Sequence, residues 1–339
     1  MRILFIDLST GLKQISDLDR GACGGRVNSL FMVSDYLAWA GHKVTVLSDI
    51  KNTGATTHGT VWDNEAYGEY DCLITNRGIG DGYPQIKAKS RILWTHDLPH
   101  SGFIPEPQNI RGFNATVFMS KYAERIWRAY YKDIGRSVRI PNGVAVIFKP
   151  RHKIGGLIYA SAPNRGLDRL PLIHESLQEK LGREVHMLAY SHMGTLHPTE
   201  GDGFNYDAIK ESTVDWRYPV PRDAIAKELG QALGLVLPTG YPEICSNIVL
   251  QALRCGTPVF TTGGLGATPE WVKHRKNGFL TQFRVEDYVI HSIEMIRNLV
   301  EYMESPKLQA KMQKAAAKTK IYSWKEIGAK WQKLIRSCA

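Results

Sequence analysis

The sequence predicts an α/β protein made of two successive doubly wound, Rossmann-like halves that face each other across a cleft. Three observations carry this. Short β-rich runs alternate with helical stretches through the first half of the 339 residues. The alternation breaks in turn formers at Pro141-Asn142-Gly143 and Phe148-Lys149-Pro150, and it then restarts. Strand, helix, strand repeated in this way calls for a parallel sheet with helices on both faces.

The elements follow in order. Candidate strands of the first half are Arg2–Ile6, Lys43–Leu47, Cys72–Thr75, Ile92–Trp94, Thr116–Met119 and Val138–Ile140. Between the first two, Val27, Leu30, Phe31, Ser34, Leu37 and Ala38 recur at helical spacing over Val27–Ala40. After the break come strand Leu157–Ala160, a helix around Leu170–Leu181 and strand Glu184–Leu188. The polar stretch from Ser191 to Asp207 reads as loop. Strand Gly234–Leu237, helix Ser246–Arg254, strand Pro258–Thr261 and two C-terminal helices ending in Tyr322–Ile335 complete the second half. The predicted domains are 1–150 and 151–320, with 321–339 as a last helix.

Composition narrows the class. The chain is 43% hydrophobic and 22% charged, with no apolar run near the roughly 20 residues that span a bilayer. Met1–Ile6 is too short for a signal peptide and leads into Asp7, so it reads as a buried strand. The five cysteines (Cys23, Cys72, Cys245, Cys255, Cys338) show no paired spacing. That suits reduced thiols in a cytoplasmic protein, not a disulfide framework or a zinc site. The net charge of +10 concentrates partly in two helical series. Lys121, Arg125, Arg128 and Lys132 share one face of a helix that also carries Tyr122, Ile126 and Trp127; Lys307, Lys311, Lys314 and Lys318 form the other. Each is either a solvated face or a contact for anionic lipid or a nucleic-acid backbone.

In doubly wound sheets ligands bind beyond the carboxyl ends of the strands, and four loops there hold residues suited to chemistry. Gly21-Ala22-Cys23-Gly24-Gly25 precedes the first helix, where free amides favour an anion. His96, in Trp94-Thr95-His96-Asp97, lies just past a strand end. His42 precedes its strand and is structural by the same rule. Arg165, in Ser161-Ala162-Pro163-Asn164-Arg165-Gly166-Leu167, offers a fixed cation where negative charge develops. Glu243, in Tyr241-Pro242-Glu243, opens a helix that ends in Cys255-Gly256-Thr257-Pro258-Val259. Thr262-Gly263-Gly264-Leu265-Gly266 follows near the same rim. The bland alternatives are a flexible turn, a core histidine, a surface arginine and a helix cap.

Together these segments resemble the retaining glycosyltransferases of family 4, the glycosyl transferases of group 1, which have the GT-B fold. The matching segments are Gly24-Gly25, Gly41-His42-Lys43-Val44, Ser120-Lys121-Tyr122, Ile140-Pro141-Asn142-Gly143, Arg165-Gly166, Pro242-Glu243, Gln251-Ala252, Cys255-Gly256-Thr257-Pro258, Pro269-Glu270 and Asn277-Gly278-Phe279-Leu280. Their order and spacing make the match specific. Tyr322-Ser323-Trp324 resembles the start of the last helix, which in such enzymes crosses back onto the first domain.

The resemblance implies transfer of a sugar, with retention, from a UDP- or GDP-sugar to a hydroxyl acceptor. It implies no cofactor and no metal; the nucleotide-diphosphate sugar is the donor substrate. His96, Arg165 and Glu243 would be catalytic. Gly24, Gly25, Arg165, Glu243, Ile244, Cys245, Ser246, Gln251 and Gly264 would bind donor, Glu243 at the sugar and Gln251 at the ribose. The expected acceptor is a saccharide or lipid-linked saccharide, with the protein cytoplasmic or peripheral at an anionic membrane. A modified base in DNA is the alternative acceptor, and a catalytically inactive sugar-nucleotide-binding relative the alternative class. Two departures support that alternative: relatives carry an acid where this chain has Gln251, and often a second basic residue where it reads Tyr159-Ala160-Ser161-Ala162. Asp17-Leu18-Asp19 resembles a metal-holding acidic pair of other sugar transferases, but lies in the first loop, where solvated aspartates are the rule.

Overall fold

The computed structural model describes residues 1–12, 14–19, 24–77, 86–99, 110–144, 153, 155–192, 204–282 and 288–338. The chain divides into two compact units, Met1–Gly143 with Tyr322–Ala339, and Val144–Ile321. Phe148, Pro150 and Gly21-Ala22-Cys23 fall outside the described residues, as do the side chains of Asp17 and Asp19.

The strands of the first unit are β1 (Arg2–Asp7), β2 (Lys43–Ser48), β3 (Gly54–Ala55), β4 (Val61–Asp63), β5 (Tyr70–Asn76), β6 (Ala88–Trp94), β7 (Ala115–Phe118) and β8 (Ser137–Arg139). They form one sheet in the order β3-β4-β2-β1-β5-β6-β7-β8, parallel except for the β3–β4 pair. The central strand shows why: Ile3, Leu4, Phe5 and Ile6 are all buried, the continuous apolar run of a strand covered on both faces. Because β1 pairs with both β2 and β5, the crossovers change direction between β1 and β5. That switch point opens a crevice at the carboxyl ends, Asp7 and Asn76.

The second unit repeats the plan with β9 (Leu157–Ala160), β10 (Met187–Tyr190), β11 (Asp215–Arg217), β12 (Gly234–Leu237), β13 (Val259–Gly263) and β14 (Gly278–Gln282). Their order is β11-β10-β9-β12-β13-β14, every pairing is parallel, and the switch point lies between β9 and β12. The Leu170–Leu181 helix matches its predicted bounds, with Pro171 at its start and Gly182 as a left-handed C-cap at φ 61°. The predicted strand Glu184–Leu188 is displaced to Met187–Tyr190. Val185 spends its N–H on the Gln178 side chain, and pairing with β9 begins at Met187.

The Trp324–Cys338 helix completes the first unit's core. Trp331 is fully buried and packs on Trp94 with ring centroids 4.6 Å apart. A Cβ on Gly328 would lie 2.2 Å from the Tyr36 ring, so only glycine admits this approach to the Gly25–Trp39 helix. His42 sits at the amino end of β2, 3.2 Å from the Gln332 amide nitrogen, at the opposite end of the sheet from the crevice. The Lys121–Tyr130 helix carries the predicted basic face and ends before Lys132. Trp127 is turned inward, buried, and donates to Asp97 O at 3.0 Å, whereas Lys121, Arg125 and Arg128 are exposed. Glu124 answers part of that charge by pairing with Arg128 and Arg139.

Candidate active site

In the second unit the loops after β9 and β12 meet at the switch point. Pro163–Arg165 forms a single 3-10 turn that ends on Gly166 at φ 96°. A Cβ there would stand 2.4 Å from Pro238 O, so glycine lets the two loops touch. Arg169 ties them further by donating to Pro238 O at 2.8 Å. Arg165 Nε then donates to Glu243 Oε1 at 2.7 Å, and Nη1 to Asn164 Oδ1 at 2.6 Å. The guanidinium carbon stands 3.6 Å from the centroid of the Tyr241 ring, a cation–π geometry. Burial pushes the Glu243 carboxyl up, against the opposing pull of Arg165.

The glycine-rich loop after β13 closes on the backbone of the same residue. Gly266 adopts φ 75°, and a Cβ on it would lie 2.6 Å from both Glu243 N and Glu243 O. Ala267 N donates to Glu243 O. Gly264 lies one turn earlier, against the Gln282 side chain. Ile244 and Cys245 are buried beneath. Ser246 caps the Asn247–Arg254 helix without a side-chain bond to it. Gln251 stands one turn along and donates to Cys255 Sγ at 3.4 Å. Thus Arg165, Glu243 and the Gly264–Gly266 loop come together, and Gln251 stands apart on the helix.

Gln251 yields a prediction. Its amide donor points onward along its own helix to Cys255, so a ribose hydroxyl would meet a neutral acceptor, weaker than a carboxylate. Gln251→Ala is expected to weaken nucleotide binding by about 1–2 kcal/mol, the scale of one lost hydrogen bond, and Gln251→Glu to retain or tighten it. Calorimetry with nucleotide alone measures both; an unchanged affinity in the alanine variant removes Gln251 from the site.

In the first unit the crevice holds a polar network. Asp7, buried, accepts from Asn76 Nδ2 at 2.6 Å and from Ser9 N at 3.1 Å, and pairs with Arg26. Arg77 has a left-handed backbone at φ 100° and pairs with Asp97. Burial, with Arg77 beside it, lowers the Arg26 guanidinium to about 10. His96 packs against Trp94 with ring centroids 4.5 Å apart and planes tilted by 51°. Its Nε2 is buried with no hydrogen-bond partner among the described residues. Burial, then Arg26 and Arg77, holds its pKa well below the usual imidazole value, so at neutral pH it is a neutral group and not a cation. Gly24 caps the Gly25–Trp39 helix, its carbonyl accepting from Asn28 N. Sequence reasoning picked out His96, Gly24 and Gly25 but missed Asp7, Arg26, Asn76 and Arg77. The available signal was their position, at a strand end or one residue past it for all but Arg26.

The comparisons with known proteins agree with this geometry. Residues 208–319 match the family Glycosyl transferases group 1. None of the curated proteins gives a significant match. Among solved structures the chain is similar to the sucrose-phosphate synthase of Thermosynechococcus elongatus, with TM-score 0.71 and 12% identity over 99% of this chain and 98% of that one. It is similar to Anabaena HepE in complex with UDP and glucose, with TM-score 0.68 and 15% identity over 99% and 100%. It is also similar to WaaG, a glycosyltransferase involved in lipopolysaccharide biosynthesis, with TM-score 0.68 and 13% identity over 98% and 99%. Two parallel sheets, each with its crevice at a switch point, define an α/β protein of the GT-B class. The segment that matches that family model carries Glu243, Gln251 and Gly264.

Proposed function

We propose that this chain moves a sugar, with retention, from a UDP- or GDP-sugar to a hydroxyl of a saccharide or lipid-linked saccharide, and needs no metal to do so. The observation that carries the reading is the meeting of Arg165 and Glu243 at the switch point, 2.7 Å apart. A diphosphate placed there meets a guanidinium and the N-terminus of the Asn247–Arg254 helix, both favourable to anions. Glu243 accepts from sugar hydroxyls, Gln251 meets the ribose, and the amides of Gly24, Gly25 and Gly264 add donors. His96, neutral, offers a hydrogen bond beside the transferred sugar. Charge that develops on the leaving diphosphate is met by groups already in place, which is the efficient form of electrostatic catalysis. UDP in the HepE structure and the lipopolysaccharide role of WaaG favour this donor and acceptor class.

A thermal-shift screen of nucleotide sugars identifies the donor, since a ligand that binds only the folded protein raises its Tm. Transfer is then expected to survive excess chelator. Loss of activity that only a divalent ion restores would overturn metal independence and return Asp17 and Asp19 as ligands. No helix among the described residues is long and apolar enough to cross a membrane. Contact with lipid is therefore tested at the surface, by binding anionic vesicles and DNA duplex across a salt series. A steep salt slope with duplex alone replaces the lipid-linked acceptor with a DNA base.

A further inference from the structure

Arg165 and Glu243 neutralise each other. The guanidinium is held on three sides: Nε on Glu243, Nη1 on Asn164, and its face on Tyr241. Tyr241 and Glu243 belong to one turn, Glu243 N donating to Tyr241 O at 2.9 Å, so ring and carboxylate form a single rigid receptor for the arginine. The backbone of Glu243 is itself fixed by Gly266 and Ala267, and both charged side chains are largely buried, at 19% and 15% exposure.

A nucleoside diphosphate entering this site competes with Glu243 for one cation. Its phosphate oxygens attract Arg165, but it brings no donor for the carboxylate, and a carboxylate left unpaired and largely buried is costly. A donor that still carries its sugar brings hydroxyls as well. These donate to Glu243 while the diphosphate takes Arg165, and both charges stay satisfied. We infer that the Arg165–Glu243 pair discriminates between sugar-carrying donor and sugar-free nucleoside diphosphate, and so weakens the hold on the nucleotide left after transfer. The sequence reading gave Glu243 no part in binding nucleotide alone; the ion pair gives it one, of opposite sign to its role with the intact donor. The inference rests on the proposed glycosyl transfer.

The test is a double-mutant cycle read by calorimetry with UDP and with GDP, on whole protein checked for an unchanged melting transition. Glu243→Gln, which keeps the shape and removes the charge, is expected to tighten binding of the preferred nucleotide by about ten-fold, the scale of a charge-assisted contact released. Glu243→Ala is expected to act in the same direction and serves if the glutamine variant fails to fold. In an Arg165→Ala background the same change at 243 is expected to alter affinity by less than about two-fold, because the coupling partner is gone. Unchanged or weaker binding in both single variants overturns the inference. So does equal tightening in the Arg165→Ala background, which reports plain repulsion from the carboxylate. If no form of the protein binds either nucleotide, the glycosyl-transfer reading fails and the inference with it.

Discussion

Arg165→Ala is expected to lower turnover about 100-fold or more, the usual consequence of removing one pre-positioned stabiliser of developing charge. The effect belongs to the transition state, because the leaving diphosphate carries its greatest charge there. KM for the donor is therefore expected to change less than kcat. Arg165→Lys keeps the charge but loses the planar fork that matches Glu243 on one edge and lies flat on Tyr241, so it should recover only part of the loss. Steady-state kinetics with the donor found by thermal shift measures all three quantities. Alanine turnover within a few-fold of the parent protein would remove Arg165 from the catalytic machinery.

Trp331→Ala is expected to destabilise the first unit by about 3–5 kcal/mol, the range for truncating a buried aromatic. Trp331, Trp94 and His96 pack in a row of tilted rings, with centroid steps of 4.6 and 4.5 Å, so the Trp331 indole also supports Trp94 beneath His96. Turnover should fall with stability, and Trp331→Phe should restore most of both. Urea unfolding followed by tryptophan fluorescence and steady-state rates provide the two readings. A loss below about 1 kcal/mol would show a site able to collapse without penalty.

What the sequence revealed and what it hid differ for physical reasons. β9 and β12 matched their predicted bounds because central parallel strands are apolar throughout and end abruptly. β11 was invisible: Asp-Trp-Arg at a sheet edge carries neither apolar run nor alternation long enough to register. Arg165 and Glu243 were each legible, one by a turn beyond a strand and the other by a helix start. Their contact was not, because it depends on β9 lying beside β12, and strand order is not written in local pattern. The same holds for Asp7 with Arg26 and for Arg77 with Asp97, pairs that sheet topology brings together from distant segments. The inward turn of Trp127 was likewise a tertiary fact, fixed by its bond to Asp97 O.

The return of the Trp324–Cys338 helix to the first unit also bears on the order in which the chain becomes native as it is made. Domains generally mature as they emerge, the amino-terminal one first. Here the core around Trp94 lacks Trp331 until the Trp324–Cys338 helix has been made, after all of Val144–Ile321, which is continuous in sequence. The first unit is thus completed after the second, and the faces of Trp94 and Tyr36 that this helix covers stay open to chaperones until it is made.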